Sequence, residues 1–200
     1  MQINPENESP SLVYSLMTQA ITPRPIAWVS TISPQGVPNL APYSYFNGIG
    51  SKPAALMFSA VNKVDGSKKD TVRNIEANGE FVVNVVPFAV AKAMVKTSGD
   101  FDYENSEFEE AGLAEKPSIR VTPPSVKQSP IQFECELIQI VPVGTGPLAA
   151  NVIIGKIVLI NIEDRIIEKQ GEIDPQLLDA IGRMGGRSYC RTTDRFEIQR

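Results

Sequence analysis

The sequence predicts a mainly β protein in which an antiparallel barrel carries a few short peripheral helices. About five or six segments combine apolar and β-branched residues over lengths typical of strands. Turn signals join most of these segments, and no strand–helix–strand rhythm typical of parallel sheets runs along the chain. The long segments show no division into two sheets, which favours a barrel over a sandwich. The 200 residues are predicted to form a single domain, residues 1–200.

The first two predicted strands form a hairpin over residues 26–46. Residues 26–32 are nearly all apolar, and residues 33–36 supply a turn. The chain then becomes extended again, but Pro38 and Pro42 lack the N–H group that a ladder hydrogen bond needs. We therefore expect either an edge position or a bulge for this second strand, which becomes irregular.

Two short apolar strands, residues 54–60 and 81–86, flank a predicted helix over residues 70–77. Asp70 has the residue type of an N-cap, and Asn78-Gly79 is a typical helix end. The helix is expected to bury one apolar stripe against the sheet.

A long polar excursion is predicted for residues 97–130, after a short helix over residues 88–96. The excursion is rich in proline and acidic residues, and we expect about one helical turn in it. A loop of this length within a domain is often functional or covers a partner.

The C-terminal part of the chain contains the longest predicted strands, at residues 131–143 and 152–162. The first alternates apolar and polar residues, as expected of a strand with one wet face. A helix over about residues 174–181 follows, with Asp174 as N-cap, and it ends at a glycine-rich break. The tail, residues 188–198, has some strand character.

Composition and charge exclude several function classes. The chain has 19 Lys and Arg against 23 Asp and Glu, and a net charge of −4 gives no general field for nucleic acid or an anionic membrane. No apolar run approaches the ~20 residues of a membrane-spanning helix, and the polar first ten residues do not resemble a signal peptide. Cys135 and Cys190 lack a metal-binding spacing and are expected to be reduced thiols. We therefore expect a cytoplasmic protein.

The chain contains no histidine. This excludes Ser-His-Asp and Cys-His catalysis, histidine general bases and histidine-containing metal sites. Glu109-Glu110 and Glu163-Asp164 lack a convincing acid–base spacing and are interpreted as surface charges. An enzymatic function must then use carboxylates, lysine or a bound cofactor. We assign no catalytic side chain and no metal ligand.

Lys68, Lys69, Asp70 and Thr71 form a candidate phosphate site. They stand at the start of the predicted helix, where unpaired N–H groups and the helix dipole favour an anion. Two ammonium groups and a threonine hydroxyl would add to this attraction. The alternative is a solvated loop with an ordinary helix cap.

Residues 43–47 form a candidate contact for a flat heterocycle. Tyr43, Ser44, Tyr45, Phe46 and Asn47 interleave aromatic with small polar residues, so backbone groups could meet the ring edge while aromatics pack below it. The alternative is a β-bulge whose aromatic side chains belong to the core.

Five further residues are weaker candidates. Ser30, Thr31 and Ser59 stand on or near strand ends, where their hydroxyls could donate to phosphate or ribityl oxygens. Trp28 is either a core residue or a cofactor contact. Arg183 follows the last predicted helix and could approach a ligand.

Seven sequence blocks, taken in order, resemble those of the flavin reductase-like, FMN-binding family. Each block alone is modestly specific, whereas all of them in this order are highly specific, and they extend from about Thr22 to Tyr189. The blocks are residues 22–31 (TPRPIAWVST), 36–47 (GVPNLAPYSYFN), 69–75 (KDTVRNI), 79–84 (GEFVVN), 108–113 (FEEAGL), 129–135 (SPIQFEC) and 182–186 (GRMGG).

The resemblance implies a Greek-key split β-barrel that binds FMN at the interface of a homodimer. It implies that Ser30 and Thr31 face the ribityl–phosphate region and that residues 43–47 line the isoalloxazine edge through backbone groups. It also implies that the phosphate is held by Ser59, Lys69, Asp70 and Thr71. The complete set of expected FMN-binding residues is Trp28, Ser30, Thr31, Tyr43, Ser44, Tyr45, Phe46, Asn47, Ser59, Lys69, Asp70, Thr71 and Arg183.

The activity implied by the resemblance is hydride transfer from NAD(P)H to FMN, followed by electron transfer to free flavin or to a protein partner. Two alternatives stay open: an electron-transfer flavoprotein without its own NAD(P)H activity, and a non-catalytic flavin-binding barrel. Many relatives carry a histidine shortly before the strand that here begins at Val152, where this chain has Asn151. Any contact that this histidine makes to flavin or nicotinamide is therefore altered.

Overall fold

In the computed structural model, which describes residues 1–199, seven strands form one antiparallel sheet in the order β2-β1-β5-β8-β9-β4-β3. The strands are β1 (Ala27–Ile32), β2 (Pro38–Tyr43), β3 (Phe46–Ser51), β4 (Ala54–Val61), β5 (Glu80–Asn84), β8 (Ile131–Val143) and β9 (Ala150–Ile162). The mainly β class predicted from the sequence is confirmed. All of these strands except β3 lie where strands were predicted.

The sheet is closed by the chain itself. β2 and β3 lie at opposite ends of the strand order, yet they follow each other directly through Ser44 and Tyr45. The N–H of Ser59 in β4 donates to the carbonyl of Tyr45 at 2.8 Å, and the rings of Tyr43 and Phe58 lie 5.1 Å apart. The β2–β3 corner is therefore the seam of a barrel.

The two strands at the seam differ in how well the sequence predicted them. β2 is an edge strand of the ladder, one of the two positions expected from Pro38 and Pro42. β3 was not predicted, because Gly48 and Gly50 leave few side chains that favour a strand. It forms because β4 supplies an antiparallel partner along its length, with one irregularity in register between Gly48 and Gly50.

Short helices lie around the barrel. Within residues 1–199 they are α1 (Pro10–Ala20), α2 (Asp70–Asn78), α3 (Ala91–Lys96), α4 (Glu107–Ala111) and α5 (Pro175–Leu178), with 3-10 turns at Pro5–Asn7, Phe88–Val90 and Asp164–Ile166. α1 was not predicted, although its start has clear signals. The Ser9 hydroxyl accepts a hydrogen bond from the N–H of Leu12 at 3.3 Å, and Pro10 occupies the first helical position.

The start of α2 corrects the predicted cap. Lys69 is the N-cap and makes no side-chain capping bond, while Asp70 is the first helical residue. The Asp70 carboxylate instead accepts from Arg73 at 2.9 Å and from Lys63 at 3.4 Å. The predicted end is confirmed, because Gly79 takes the left-handed conformation with φ 72°.

The last predicted helix is shorter than expected. Asp174 caps it as predicted, but α5 ends at Leu178 because Asp179 takes a left-handed conformation with φ 43°. The predicted end of the helix instead belongs to β10 (Ile181–Arg183), which pairs with β11 (Tyr189–Arg191).

The excursion over residues 97–130 has more structure than predicted. It contains α4 and a two-stranded ladder of β6 (Glu115–Lys116) and β7 (Ser125–Val126). The N–H of Val126 donates to the side-chain oxygen of Asn84 at 2.8 Å, and this hydrogen bond links the excursion to β5.

The two faces of β1 belong to two different cores. Ala27 and Val29 point into the barrel, where they join a cluster with Phe58 and Phe81. Trp28 faces the other way and packs in a second cluster beneath α3 and α4. Since both faces are covered, β1 has no free face to present to a ligand.

Two other expectations concern location. No helix within residues 1–199 has the length and apolar character needed to cross a lipid bilayer. Cys135 is buried and Cys190 is partly exposed, and both are free thiols. Burial raises the pKa of the Cys135 thiol, so this group stays protonated.

Candidate functional site

Two cavities adjoin at the seam of the barrel, where they share Pro42, Tyr43 and Ser98. The first, which we call the lysine pocket, has a volume of about 90 Å³ and includes Lys63, Lys69, Asp70, Thr71 and Glu107 in its lining. The second, which we call the tyrosine groove, has a volume of about 230 Å³ and includes Tyr14, Ser44, Met94, Arg183 and Tyr189. Tyr43 thus lines both cavities where they adjoin.

The start of α2 forms one wall of the lysine pocket. The first N–H groups of a helix have no intrahelical acceptor, and the dipole makes this end positive. Lys69 adds an ammonium group, and none of the ion pairs within residues 1–199 contains it. Lys63 also lines the pocket but is 3.4 Å from Asp70, so its charge is partly compensated. The wall therefore offers unpaired N–H groups and the Lys69 ammonium group to a small anion, although the carboxylates of Asp70, Asp100 and Glu107 belong to the same lining.

Lys68 does not contribute to this wall. Its ammonium group lies 2.5 Å from the carboxylate of Glu76, on the outer face of α2. Of the two lysines in the predicted phosphate site, only Lys69 lines the pocket.

A buried polar network lies beneath the pocket. The Asn39 side-chain oxygen accepts from the hydroxyls of Thr71 at 2.9 Å and Thr31 at 3.2 Å. The Asn39 amide donates to Glu107 at 2.6 Å, and the second carboxylate oxygen of Glu107 accepts from the N–H of Leu40 at 2.9 Å. The Thr71 hydroxyl proton is therefore already used inside the protein, which corrects the prediction that it would be free to donate to a phosphate.

Glu107 is an unusual component of this pocket. It comes from α4 in the excursion, and it is only 7% exposed. Burial raises the pKa of its carboxyl group, against the lowering effect of its hydrogen-bond donors, Leu40 and Asn39. The excursion therefore reaches the lysine pocket through this residue.

Tyr43 provides a neutral polar group between the two cavities. Burial raises the pKa of its hydroxyl, and the nearby carboxylates of Glu107 and Asp70 raise it further. The hydroxyl is therefore protonated at ordinary pH. It can position a ligand that extends from one cavity into the other.

The tyrosine groove is suited to a flat aromatic group. Tyr14, Tyr43 and Tyr189 contribute rings, and Ile26, Pro42 and Met94 contribute apolar surface. The Arg183 guanidinium stacks on the Tyr189 ring at 4.6 Å and donates to the carbonyl of Gly186 at 2.6 Å. Within residues 1–199, Arg183 lines this groove and no carboxylate does, so its charge is positive.

The predicted ring-contact segment is divided between two cavities. Tyr43 and Ser44 line the tyrosine groove, as predicted for a ligand contact. Tyr45, Phe46 and Asn47 line a different cavity of about 320 Å³, and Ser44 lines this one too. The sharp change of direction at the seam separates the segment into these two parts.

Three predicted site residues are inaccessible. Trp28, Ser30 and Thr31 are each 0% exposed. The Trp28 indole donates to Thr97 at 2.9 Å, and the Ser30 hydroxyl donates to the carbonyl of Pro124 at 2.5 Å. The structure therefore corrects the prediction of direct cofactor contact for these three, which support the strands beneath the site.

Ser59 and Asn151 occupy neighbouring positions in the β4–β9 ladder. The N–H of Ser59 is used at the seam by Tyr45, so this residue is linked to the ring segment rather than to the start of α2. Asn151 is 5% exposed, and its amide donates to Ala60 at 3.1 Å and to Asn62 at 2.8 Å. In this chain, position 151 is occupied by a buried residue that joins two strands.

Several candidate residues were missed by the sequence analysis. Asn39 lies within residues 36–47, a block that carries the family resemblance, and its place in this block could have identified it as a candidate. Lys63, Ser98 and Glu107 lie in polar stretches without a motif, and Tyr14 lies on the helix that was not predicted. Tertiary contacts alone bring them to the site. No cluster of three or more metal-ligating side chains occurs in the described residues.

Comparison with known proteins agrees with this architecture. The model of the flavin reductase-like domain matches residues 18–186. The chain is similar to the nitrilotriacetate monooxygenase component B of Bacillus cereus, with 34% identity, a TM-score of 0.94 and coverage of 99% of this chain and 98% of that one. It is also similar to the 2-nitrobenzoate 2-nitroreductase NbaA of Pseudomonas fluorescens, with 32% identity, a TM-score of 0.89 and coverage of 100% and 95%.

A more distant structure identifies the fold. A protein with a split barrel domain from Shewanella frigidimarina NCIMB 400 has 21% identity, a TM-score of 0.83 and coverage of 100% of this chain and 99% of that one. The split-barrel fold expected from the resemblance is confirmed. From the matched domain and the full-length structural similarity, we conclude that this chain belongs to the flavin reductase-like family.

Proposed function

We propose that the chain is a cytoplasmic, FMN-dependent oxidoreductase that takes hydride from NAD(P)H and passes electrons to free flavin or to a protein partner. The observation that carries this proposal is that the lysine pocket and the tyrosine groove adjoin and share Tyr43 in their lining. An anion-binding helix start and an aromatic groove meet at Tyr43, in the order that a phosphate, a linker and a flat ring would require.

The residues present fit FMN. Lys69 and the first N–H groups of α2 would hold the phosphate, and the lysine pocket has room for a group of this size. Tyr43, Arg183 and Tyr189 would hold the ring, whose oxygen-bearing edge suits a positively charged groove. A bound flavin supplies the hydride and electron chemistry, so no catalytic side chain is needed. The protein residues bind the flavin, orient it and limit its contact with water.

We also propose a homodimer. Together the two cavities, of about 90 and 230 Å³, enclose about 320 Å³, at the lower end of the ~300–1,000 Å³ typical of ligand pockets, so one chain would cover a flavin only in part. Next to the groove, α1 exposes Tyr14 and Met17, which are 57% and 44% exposed and lie on one helix face because they are three residues apart. An apolar helix face beside an incomplete site favours a second subunit that covers both.

The neighbours support the reaction class. One solved structure is a component of a monooxygenase and another is a nitroreductase, and both are more than 30% identical to this chain. Both names describe oxidoreductases. The choice of NAD(P)H as donor and of flavin or a protein as acceptor is our proposal.

The function is tested by recording the absorbance spectrum of purified protein with FMN, followed by anaerobic addition of NADH and then NADPH. We expect FMN to bind and its visible absorbance to bleach with at least one nucleotide. Bleaching only with dithionite would favour the electron-transfer alternative. A protein that binds FMN but neither turns over nor accepts electrons would favour the non-catalytic barrel. A protein that does not bind FMN would refute the proposed reductase, the electron-transfer protein and the non-catalytic flavin-binding barrel.

A further inference from the structure

Arg24 is a buried cation without a carboxylate partner in the described chain. It is only 4% exposed, and none of the ion pairs within residues 1–199 contains it. Its guanidinium donates to the carbonyls of Thr18 at 2.5 Å, Ile21 at 2.7 Å and Met184 at 2.9 Å, and to the Ser44 hydroxyl oxygen at 3.2 Å. These acceptors are all neutral, so the positive charge is hydrogen-bonded but not compensated.

A charge in this position is costly for the fold. Moving an ion out of water costs several kcal/mol unless an opposite charge is nearby, and neutral carbonyls compensate only in part. An uncompensated cation close to a cavity lowers the energy of any negative charge that develops there. Arg24 itself lines the cavity of about 320 Å³ beside the seam.

Ser44 connects this charge to the tyrosine groove and to the 320 Å³ cavity. Its hydroxyl oxygen accepts from the Nε–H of Arg24, which leaves the hydroxyl proton free to donate to another group. No hydrogen bond within residues 1–199 uses that proton, and the side chain lines the tyrosine groove as well as the 320 Å³ cavity. A hydroxyl that accepts from a cation is also a stronger donor, because the two bonds polarise each other.

Arg24 also fixes a second group at the groove. Its main chain pairs with that of Arg183, through hydrogen bonds of 2.9 and 2.8 Å. The position of the Arg183 side chain over Tyr189 therefore depends on the same segment. Arg24 thus joins α1, the β2–β3 corner and the glycine-rich turn at residues 182–186.

We propose that Arg24 is a positioning residue that holds the Ser44 hydroxyl as a charge-assisted donor to the acceptor edge of the flavin ring, and so favours the reduced flavin. This inference rests on the proposed function, since it requires a flavin in the groove. When the ring gains electrons its acceptor edge becomes more negative, and a donor backed by a cation then binds it more tightly. The pair would raise the reduction potential of the bound flavin relative to a site that lacks it.

The test is the midpoint potential of FMN bound to wild type and to the variants R24M, R24K and S44A, together with the affinity for oxidised FMN. In R24M and S44A we expect the affinity for reduced FMN to fall about tenfold more than that for oxidised FMN. For a two-electron couple this lowers the potential by about 30 mV. R24K keeps the positive charge, so its potential is expected to lie closer to that of wild type than to that of R24M, even if the variant is less thermally stable.

A double variant and a surface control make the result specific. R24M/S44A should lower the potential by no more than the larger single change, because both residues act through one hydrogen bond. R165M removes the same charge from an exposed side chain that pairs with Glu163, and it should leave the potential unchanged.

S44A retains the three carbonyl bonds of Arg24, so it provides the test even if R24M does not fold. A wild-type potential in S44A would overturn the inference, as would equal loss of potential in R24K and R24M. Wild-type protein that binds no flavin would overturn the proposed function, and this inference with it.

Discussion

Replacing Lys69 by methionine removes an ammonium group from the wall of the lysine pocket and keeps most of the aliphatic side chain. If the phosphate of FMN binds there, one charge-assisted hydrogen bond is lost. Such a bond contributes about 1.5–3 kcal/mol, which corresponds to a loss of affinity of roughly 10- to 150-fold. Lys69 is partly exposed, so we expect a value near the lower end, and a smaller loss at high salt.

The assay is fluorescence titration of FMN and of riboflavin, which lacks the phosphate. Lys69→Met should weaken FMN binding and leave riboflavin binding unchanged. Lys68→Met is the matched control, because Lys68 is adjacent in sequence but pairs with Glu76 outside the pocket. Equal effects of the two substitutions on FMN, or an equal loss of riboflavin binding in Lys69→Met, would refute the placement of the phosphate.

Three further predictions concern the fold and the base of the pocket. A Cβ at Gly155 would overlap the Phe81 ring, so Gly155→Ala should destabilise the protein by about 1–3 kcal/mol in urea unfolding, whereas Gly48→Ala, with nothing within 4 Å, should have little effect. Trp28→Phe should lower stability by about 1–3 kcal/mol while FMN affinity stays the same, and lost binding at wild-type stability would contradict the core assignment. The raised pKa of Glu107 means that the folded state binds this proton more tightly than the unfolded state. Its contribution to stability is therefore complete below the ordinary glutamate value of 4.5 and is lost as pH rises through the folded pKa, so Glu107→Gln should reduce the fall in urea midpoint over that range. An unchanged pH dependence in this variant would show that the titration belongs to another group.

Local patterns in the sequence determined much of the strand arrangement. The bounds of β8 agree with the predicted strand because alternation over a long segment is a strong signal. Pro38 and Pro42 indicated an edge position or a bulge for β2, since a residue without an N–H cannot pair regularly between two strands, and β2 lies at an edge. In contrast, β3 depends on β4 for its hydrogen bonds, so its own glycine-rich sequence gave no indication of it.

In the candidate site, too, some features follow from local sequence and others depend on tertiary contacts. The start of α2 could be predicted because Lys69, Asp70 and Thr71 adjoin in sequence at a helix N-terminus, and this local arrangement already favours an anion. The roles of Ser30 and Thr31 could not be predicted, because burial and hydrogen-bond partners far away in sequence decide whether a hydroxyl is free.

The sequence by itself determined the mainly β class, the family resemblance, the absence of histidine chemistry and the position of the helix start at which we propose an anion site. Only the tertiary structure decided which side chains meet. Glu107 reaches Asn39 over 68 residues, and Arg24 reaches Met184 over 160 residues. Such contacts depend on the closure of the barrel and on the packing of the excursion against it, and neither leaves a periodic trace in the chain. The fold class and most of the strands were therefore predictable from local patterns, whereas barrel closure and the polar partners that set the chemistry of the site were not.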